Sequence, residues 1–225
     1  MAATSLQELF VEELRDMYDG EKRLTKALPK MAKATEDGPL RAAFTTHLKE
    51  TERQITRLEQ VFRTVGERPR GKTCDGIMGI VEEGNKMMQE LERGPVLDAA
   101  LISGAQKVEH YEIASYGTLA YFAEMLGNDR AKDLLGQTLD EEKPTDEKLN
   151  TIAKSDVNRD ALMGTGDEED EGGERFLPRT LRGATASFGV AKDEGMTGRR
   201  PSGRRSTGRS TARSRSTGRK SSKKK

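Results

Sequence analysis

Tryptophan is absent from the 225 residues, and aromatic side chains make up only 4% of them. Hydrophobic residues account for 33% of the chain and charged residues for 34%. These apolar side chains are too few to give the whole chain a core, so part of it is expected to be disordered. A single cysteine, Cys74, excludes an intramolecular disulfide and suits a reducing compartment.

Long hydrophobic runs are also missing. No apolar stretch approaches the roughly 20 residues that a membrane-spanning helix needs. The N-terminal segment MAATSLQELFVEEL lacks the basic and then apolar pattern of a signal peptide. The sequence therefore predicts a cytoplasmic protein without a membrane partner.

Apolar residues recur every three or four positions in four long stretches, which is the period of a buried helical stripe. A shorter, methionine-rich amphipathic stretch stands between the second and the third. Short connections join the first helix to the second and the third to the fourth, as in ferritin-like bundles. The predicted long helices span 5–34, 40–65, 96–126 and 131–153, and the short one spans 77–92.

We therefore predict an all-α fold: a ferritin-like four-helix bundle with a short crossover helix and a disordered C-terminal tail. The predicted bundle covers residues 1–158. A flexible acidic linker is expected over 159–195, and a disordered basic tail rich in Ser, Arg, Lys and Gly over 196–225. Pro144 lies inside the fourth helix and is expected to bend it.

Acidic residues interrupt the apolar stripes. Glu21, Glu112 and Glu142 stand centrally in the first, third and fourth helices, and Glu109 precedes Glu112 by one turn. The second helix carries Glu50 on the flank of its stripe, with His47 and Gln54 nearer the centre. A buried carboxylate is costly unless it is paired or binds a metal ion.

The depths of these carboxylates match. Glu21 lies about 14 residues before the first turn and Glu50 about 10 after it; Glu112 and Glu142 lie about 14 before and 12 after the last turn. At 1.5 Å per residue, each pair agrees in depth to within roughly 6 Å. Oxygen and imidazole ligands suit iron or manganese. The predicted ligands of a two-ion centre are Glu21, Glu50, Glu109, Glu112, Glu142 and His47.

The spacing departs from that of known di-metal bundles, which use Glu-x-x-His on two helices. Arg53 and Thr145 stand where such histidines would be, and the second helix offers His47-x-x-Glu50 in reverse order. Pairing of the carboxylates with Lys and Arg, or a place at a subunit boundary, is therefore the alternative. His47 is either a ligand or a support for one, whereas His110 is expected at the surface.

We interpret the other residues with polar groups near the stripes as supporting the structure. Tyr18, Tyr111 and Tyr116 are interpreted as packing residues, and Asp146 as an inward side chain that could support a ligand. Cys74 is expected on a loop, without an evident base or partner thiol.

Each of the four long helices carries a distinctive segment. The segments are EELRDMYDGEKRL (12–24), HLKETERQITRLEQVF (47–62), GAQKVEHYEIASYGTLAYFAEMLG (104–127) and TLDEEKPTD (138–146). Together they resemble the YciE/YciF-type family of bacterial ferritin-like stress proteins, and the resemblance spans about residues 5–158. It implies a ferritin-like bundle, dimerisation and a di-metal site to which Glu21, Glu50, Glu109, Glu112 and Glu142 correspond.

The net charge of +1 conceals a strong division along the chain. Residues 199–225 contain 12 Lys and Arg and no Asp or Glu, whereas residues 1–198 contain 27 basic and 38 acidic residues. Such a tail neutralises phosphates without reading sequence, and it lacks aromatic residues for stacking on bases. The predicted nucleic-acid-binding residues are Arg199, Arg200, Arg204, Arg205, Arg209, Arg213, Arg215, Arg219, Lys220, Lys223, Lys224 and Lys225.

Two functions follow from these patterns. The leading one is a stress protein that uses two iron or manganese ions for ferroxidase or peroxide chemistry and is tethered to DNA or another polyanion by its tail. The rival is a non-enzymatic DNA-binding or scaffold protein with a metal-free bundle. For the tail, the alternative is a solubilising segment or one that folds back on the acidic run 167–174.

Overall fold

The computed structural model describes residues 3–164, all of whose long elements are helices. The predicted all-α fold with one crossover helix is confirmed. The predicted linker beyond residue 164 and the basic tail lie outside the described residues. The helices are α1 (Leu6–Ala34), α2 (Gly38–Thr64), α3 (Asp75–Glu90), α4 (Pro95–Met125), α5 (Asp129–Ile152) and α6 (Asn158–Met163). Between residues 3 and 164, no helix has both the length and the apolar composition needed to cross a membrane.

Side chains at the helix starts satisfy amides that have no helical partner. The Ser5 hydroxyl accepts the amide of Glu8 at 3.2 Å, and the Glu8 carboxylate accepts the amide of Thr4 at 2.6 Å. In a capping box the Glu8 carboxylate would accept the amide of Ser5, so the bond to Thr4 is a variant displaced by one residue. Asp37 caps α2 by accepting the amide of Leu40 at 2.6 Å.

Left-handed glycines end two of the long helices. Gly66 has φ of 71° after α2, and Gly127 has φ of 68° after α4. In each case the amide of the residue after the glycine donates a hydrogen bond to a carbonyl in the last helical turn. Glu67 donates to the carbonyl of Phe62, and Asn128 donates to the carbonyl of Ala123. A residue with a Cβ would be strained there, so glycine sets these two stops.

A polar layer divides the core into two apolar halves. On α1 the buried residue Glu21 follows Met17 of one half and precedes Leu24 of the other. On α2, α4 and α5 as well, His47, Glu112 and Glu142 each lie between members of the two halves. The four long helices thus bring their buried polar residues to one level of the bundle.

The crossover helix α3 is fastened over α1 and α4 at its start. Cys74 lies on the loop immediately before α3 and is a free thiol, as expected, and its side chain is fully buried. Its amide donates to Asp19 at 2.9 Å, and its sulfur lies 3.5 Å from the hydroxyl of Tyr111. Gly76 follows, where a Cβ would stand 2.5 Å from the Tyr111 ring. Only glycine lets α3 approach α4 this closely.

The chain stays helical beyond the predicted end of the fourth helix. A π-helical turn, Ala153–Val157, joins α5 to α6. Ile152, Ala153 and Val157 are buried in the same apolar half as Leu101, so tertiary packing extends the helix where sequence periodicity is weak. Pro144 does not interrupt α5, which is continuous from Asp129 to Ile152.

Candidate metal centre

Four buried side chains from three helices meet in the polar layer. His47 of α2, Glu109 and Glu112 of α4 and Glu142 of α5 each offer one ligand atom, and these atoms all lie within 4.8 Å of one another. Their exposed fractions are between 0% and 4%. We call these four residues the carboxylate cluster. Their proximity and chemistry make the cluster a candidate metal site.

Glu21 of α1 adjoins the carboxylate cluster and is fully buried. Its Oε1 accepts a hydrogen bond from the hydroxyl of Tyr116, and its other oxygen has no partner. Burial raises the pKa of Glu21 to about 7, although the Tyr116 bond and the charge of His47 act in the opposite direction. All four long helices therefore contribute an ionisable side chain at this level.

Mutual repulsion adds to the cost of burying these carboxylates. Burial, and after it the charges of Glu21 and Glu142, raise the pKa of Glu112 well above its usual range. Burial and the charge of Glu109 raise the pKa of Glu142 to about 10. Burial likewise raises the pKa of Glu109, against the charge of His47. Without a cation, the centre therefore retains protons at neutral pH.

The alternative in which Lys and Arg neutralise the carboxylates is not what the described residues show. Between residues 3 and 164, no Lys or Arg forms an ion pair with Glu21, Glu109, Glu112 or Glu142; the basic side chain beside them is His47, whose Nε2 lies 3.3 Å from Oε1 of Glu109. Asp98 provides a contrast, since this buried carboxylate accepts the backbone amides of Glu36 and Asp37.

The residues fit a metal ion because most of their polar side-chain atoms are buried without a hydrogen-bond partner. Both oxygens of Glu112, one oxygen each of Glu21, Glu109 and Glu142, and both ring nitrogens of His47 lack hydrogen bonds. Each such buried group costs about 1–3 kcal/mol when unsatisfied. Carboxylate oxygens with one imidazole are a donor set that suits iron or manganese. A divalent cation would satisfy the unpartnered atoms and offset their repulsion.

Glu50 takes a different place from the other sequence-predicted ligands. It lies outside the four-residue cluster, with its Oε2 3.6 Å from Nδ1 of His47, whose Nε2 faces Glu109. Burial opposes protonation of His47, yet contact with Glu50 and the charges of Glu109 and Glu21 leave its pKa raised. A carboxylate behind a ligating histidine orients its ring and increases its basicity.

Two further polar residues belong to the centre and were absent from the predicted ligand set. Tyr116, interpreted as a packing residue, is the hydrogen-bond donor to Glu21. Gln54 donates through Nε2 to Oε1 of Glu142. The signal was available in the spacing, because Tyr116 follows Glu112 by four residues and Gln54 follows His47 by seven, which puts each pair on one helical face.

His110 and Asp146 stand aside from the cluster. The His110 side chain is 70% exposed, as predicted, and its Nε2 is 3.5 Å from Asp146. Asp146 is largely buried and also accepts a 3.4 Å hydrogen bond from Gln106. The predicted nucleic-acid-binding residues 199–225 lie outside the part of the chain that the structure describes.

Comparison with known proteins agrees with this architecture. A family profile described as a domain of unknown function, DUF892, matches residues 5–162. The chain belongs to the DUF892 family. Among curated proteins, Protein YciF of Escherichia coli K12 is 46% identical over 162 residues, which are 72% of this chain and 98% of YciF. The resemblance noted in the sequence is thereby confirmed.

Solved structures give the same result. The crystal structure of the E. coli stress protein YciF has a TM-score of 0.67 and 46% identity, covering 70% of this chain and all of that one. YcfI of Rhodopseudomonas palustris has a TM-score of 0.65 and 45% identity, over 67% and 96% of the two chains. A Xanthomonas campestris protein, at 22% identity and a TM-score of 0.55, shares the fold.

Proposed function

We propose that this DUF892 protein is a stress protein whose bundle holds two iron or manganese ions at the carboxylate cluster and Glu21. The observation that supports the proposal is the set of buried, unpartnered carboxylate oxygens and imidazole nitrogens brought together from all four long helices. When bound, such ions supply a redox-active centre that can react with peroxide or dioxygen. The likeness to the E. coli stress protein YciF supports a role in the stress response.

Glu112 of α4 interacts with carboxylates of three helices, namely Glu21 of α1, Glu109 of α4 and Glu142 of α5. His47 is contributed by α2. Both oxygens of Glu112 are unpartnered, so this residue would offer two oxygen ligands. Tyr116 and Gln54 hold Glu21 and Glu142 in place, and Glu50 orients His47.

The surrounding apolar halves exclude bulk water from this level of the bundle. Met17, Leu24 and Leu58 are each no more than 2% exposed and belong to the two halves. Exclusion of water strengthens the attraction between carboxylates and a cation. It also confines oxidant chemistry to small molecules that can reach the centre.

Metal content is the direct test. Protein purified without chelator should contain about two ions per chain, located by anomalous scattering in the polar layer. Glu112→Gln should remove them, whereas Glu124→Gln, on the exposed face of the same helix, should not. Wild-type protein that binds neither iron nor manganese, and consumes no peroxide when supplied with them, would exclude this function.

The tail has its own proposed role. Its 12 Lys and Arg would tether the bundle to DNA or another polyanion by phosphate neutralisation. We also propose a homodimer, in keeping with the family resemblance. Sedimentation equilibrium measures the oligomeric state, and a monomer at all concentrations would exclude the dimer.

A further inference from the structure

A surface groove between α2 and α5 has one member of the carboxylate cluster, His47, among its lining residues. Its volume is about 310 Å³. Thr46, His47 and Glu50 line it from α2, and Asp140, Pro144 and Thr145 are among the residues that line it from α5. One member of the cluster, His47, is thus also part of a surface groove.

His47 connects the groove with the buried centre. Its side chain is 5% exposed, its Nε2 faces Glu109 in the cluster, and its Nδ1 faces Glu50. Neither ring nitrogen has a hydrogen-bond partner. The Glu50 side chain is 26% exposed, so one carboxylate touches both solvent and the histidine of the centre.

Three other surface grooves of the described residues lead elsewhere. One, between α1 and α3, is lined by Lys22, Arg23, Lys26 and Lys30 and would repel a cation. The other two are lined by residues such as Thr56 and Arg130, and Gln7 and Glu12. No member of the carboxylate cluster lines any of these three.

The chemistry of the α2–α5 groove suits a hydrated cation. Carboxylates of Glu50, Asp140 and Glu141 line it, with Lys148 as the lysine among its lining residues. Arg57 pairs with Glu141 at 2.7 Å, and Arg53 lies 3.8 Å from Glu50, so the charges are nearly balanced. The groove therefore offers successive oxygen ligands rather than a strong attracting field.

Pro144 contributes to this wall of the groove. It has no N–H to donate to the carbonyl of Asp140 one turn earlier, which leaves that oxygen without its usual helical partner. Both residues line the groove. A backbone oxygen without a helical partner is a neutral ligand of the kind that hard cations accept.

We propose that the α2–α5 groove is the entrance through which a divalent cation reaches the buried centre, with Glu50 as its first protein ligand on the way to His47. This inference rests on the proposed function, because it requires a cation at the cluster. It assigns Glu50 to the transfer of the ion, in addition to its contact with His47.

The test separates a route from a ligand by comparing rates with equilibrium. Thr46 is exposed and lines the groove without belonging to the centre. Thr46→Trp should slow both association and dissociation of Co(II), followed by its absorption in stopped flow, on the order of tenfold each. The stoichiometry and the dissociation constant should stay at their wild-type values, because a blocked path changes both rates in the same ratio.

A matched control lies on the same helix. Thr56 is also exposed and lines a groove that does not reach the cluster, so Thr56→Trp should bind and release Co(II) at wild-type rates. Thr145→Trp closes the α2–α5 groove from the opposite wall and should reproduce the slowing if Thr46→Trp fails to fold.

The outcomes distinguish the two proposals. Wild-type rates in Thr46→Trp and Thr145→Trp, with normal metal content, overturn the entrance and leave the metal centre intact. Equal slowing in Thr56→Trp also overturns it, since the effect would not be specific to this groove. A wild-type protein that binds no Co(II), Fe(II) or Mn(II) overturns the proposed function, and the entrance with it.

Discussion

The hydroxyl of Tyr116 donates a hydrogen bond to Oε1 of Glu21 across the interface of α4 and α1. Both side chains are fully buried. Burial and the charge of Glu21 raise the pKa of Tyr116 well above its usual value, so the phenol stays protonated and remains a donor. This bond fixes the carboxylate that α1 contributes to the centre.

Tyr116→Phe should therefore weaken the centre without removing a ligand. Loss of a partner for the buried carboxylate should cost about 1–3 kcal/mol in unfolding free energy when Glu21 is ionised. Metal affinity should fall about 10- to 100-fold. Tyr121→Phe, 59% exposed on the same helix, is the control and should change neither quantity. Isothermal titration and urea unfolding measure both, and a wild-type affinity in Tyr116→Phe would contradict the role.

Metal-free protein should lose stability as pH rises. The pKa of Glu21 is raised from 4.5 to about 7 and that of Glu142 from 4.5 to about 10. Because the folded-state values exceed the unfolded ones, the stabilisation is complete below about pH 4.5 and is lost as pH passes through 7 and then 10. Glu21 accounts for a loss on the order of 3 kcal/mol in the free energy of unfolding.

Calorimetry on the chelator-treated protein between about pH 5 and pH 9 tests this dependence. Glu21→Gln should flatten the fall near neutral pH, whereas Glu124→Gln should leave it unchanged. Saturating metal should also flatten the curve, since a cation stabilises the ionised carboxylates. A metal-free protein whose stability increases over this range would contradict the assignment.

The packing of α3 on α4 depends on Gly76. A Cβ there would lie 2.5 Å from the ring of Tyr111, so Gly76→Ala should destabilise the protein by about 1–3 kcal/mol. Gly79 is on the same helix with nothing within 4 Å of its Cβ position. Gly79→Ala should stabilise by about 0.5–1 kcal/mol through helix propensity. Denaturant unfolding of both variants measures the difference, and equal effects would refute the close approach.

Deletion of residues 196–225 should abolish salt-sensitive binding to duplex DNA. If about 8 of the 12 basic residues contact phosphates, log K should fall with log salt at a slope near −7 in the full-length protein. Metal content should be unaffected by the deletion. Unchanged DNA binding by the shortened protein would show that the tail is not the binding segment.

Much of the fold followed from local patterns. The starts and ends of α1, α2, α4 and α5 agree with the prediction to within about two residues, because caps such as Ser5 and stops such as Gly127 are local signals. The helical structure after Ile152 could not be predicted from such local signals. Val157 joins the core there, and this contact depends on α4, far away in sequence.

The candidate metal centre shows even more clearly that local sequence patterns do not predict tertiary contacts. Counting residues from a turn gives a depth, and His47 and Glu50 differ in depth by less than one helical turn. They differ in direction by about 60° around α2, and the packing angle of that helix decides which one faces Glu109. The structure puts His47 there and Glu50 behind it.

The amino-acid sequence by itself determined the helices, their order and the level at which acidic residues interrupt the apolar stripes, since these depend on a fixed rise and period. Only the tertiary structure decided which atoms meet within 4.8 Å, that Tyr116 and Gln54 join them, and that Cys74 is buried. Such contacts depend on how each helix is rotated and tilted against its neighbours, and no single helix carries that information.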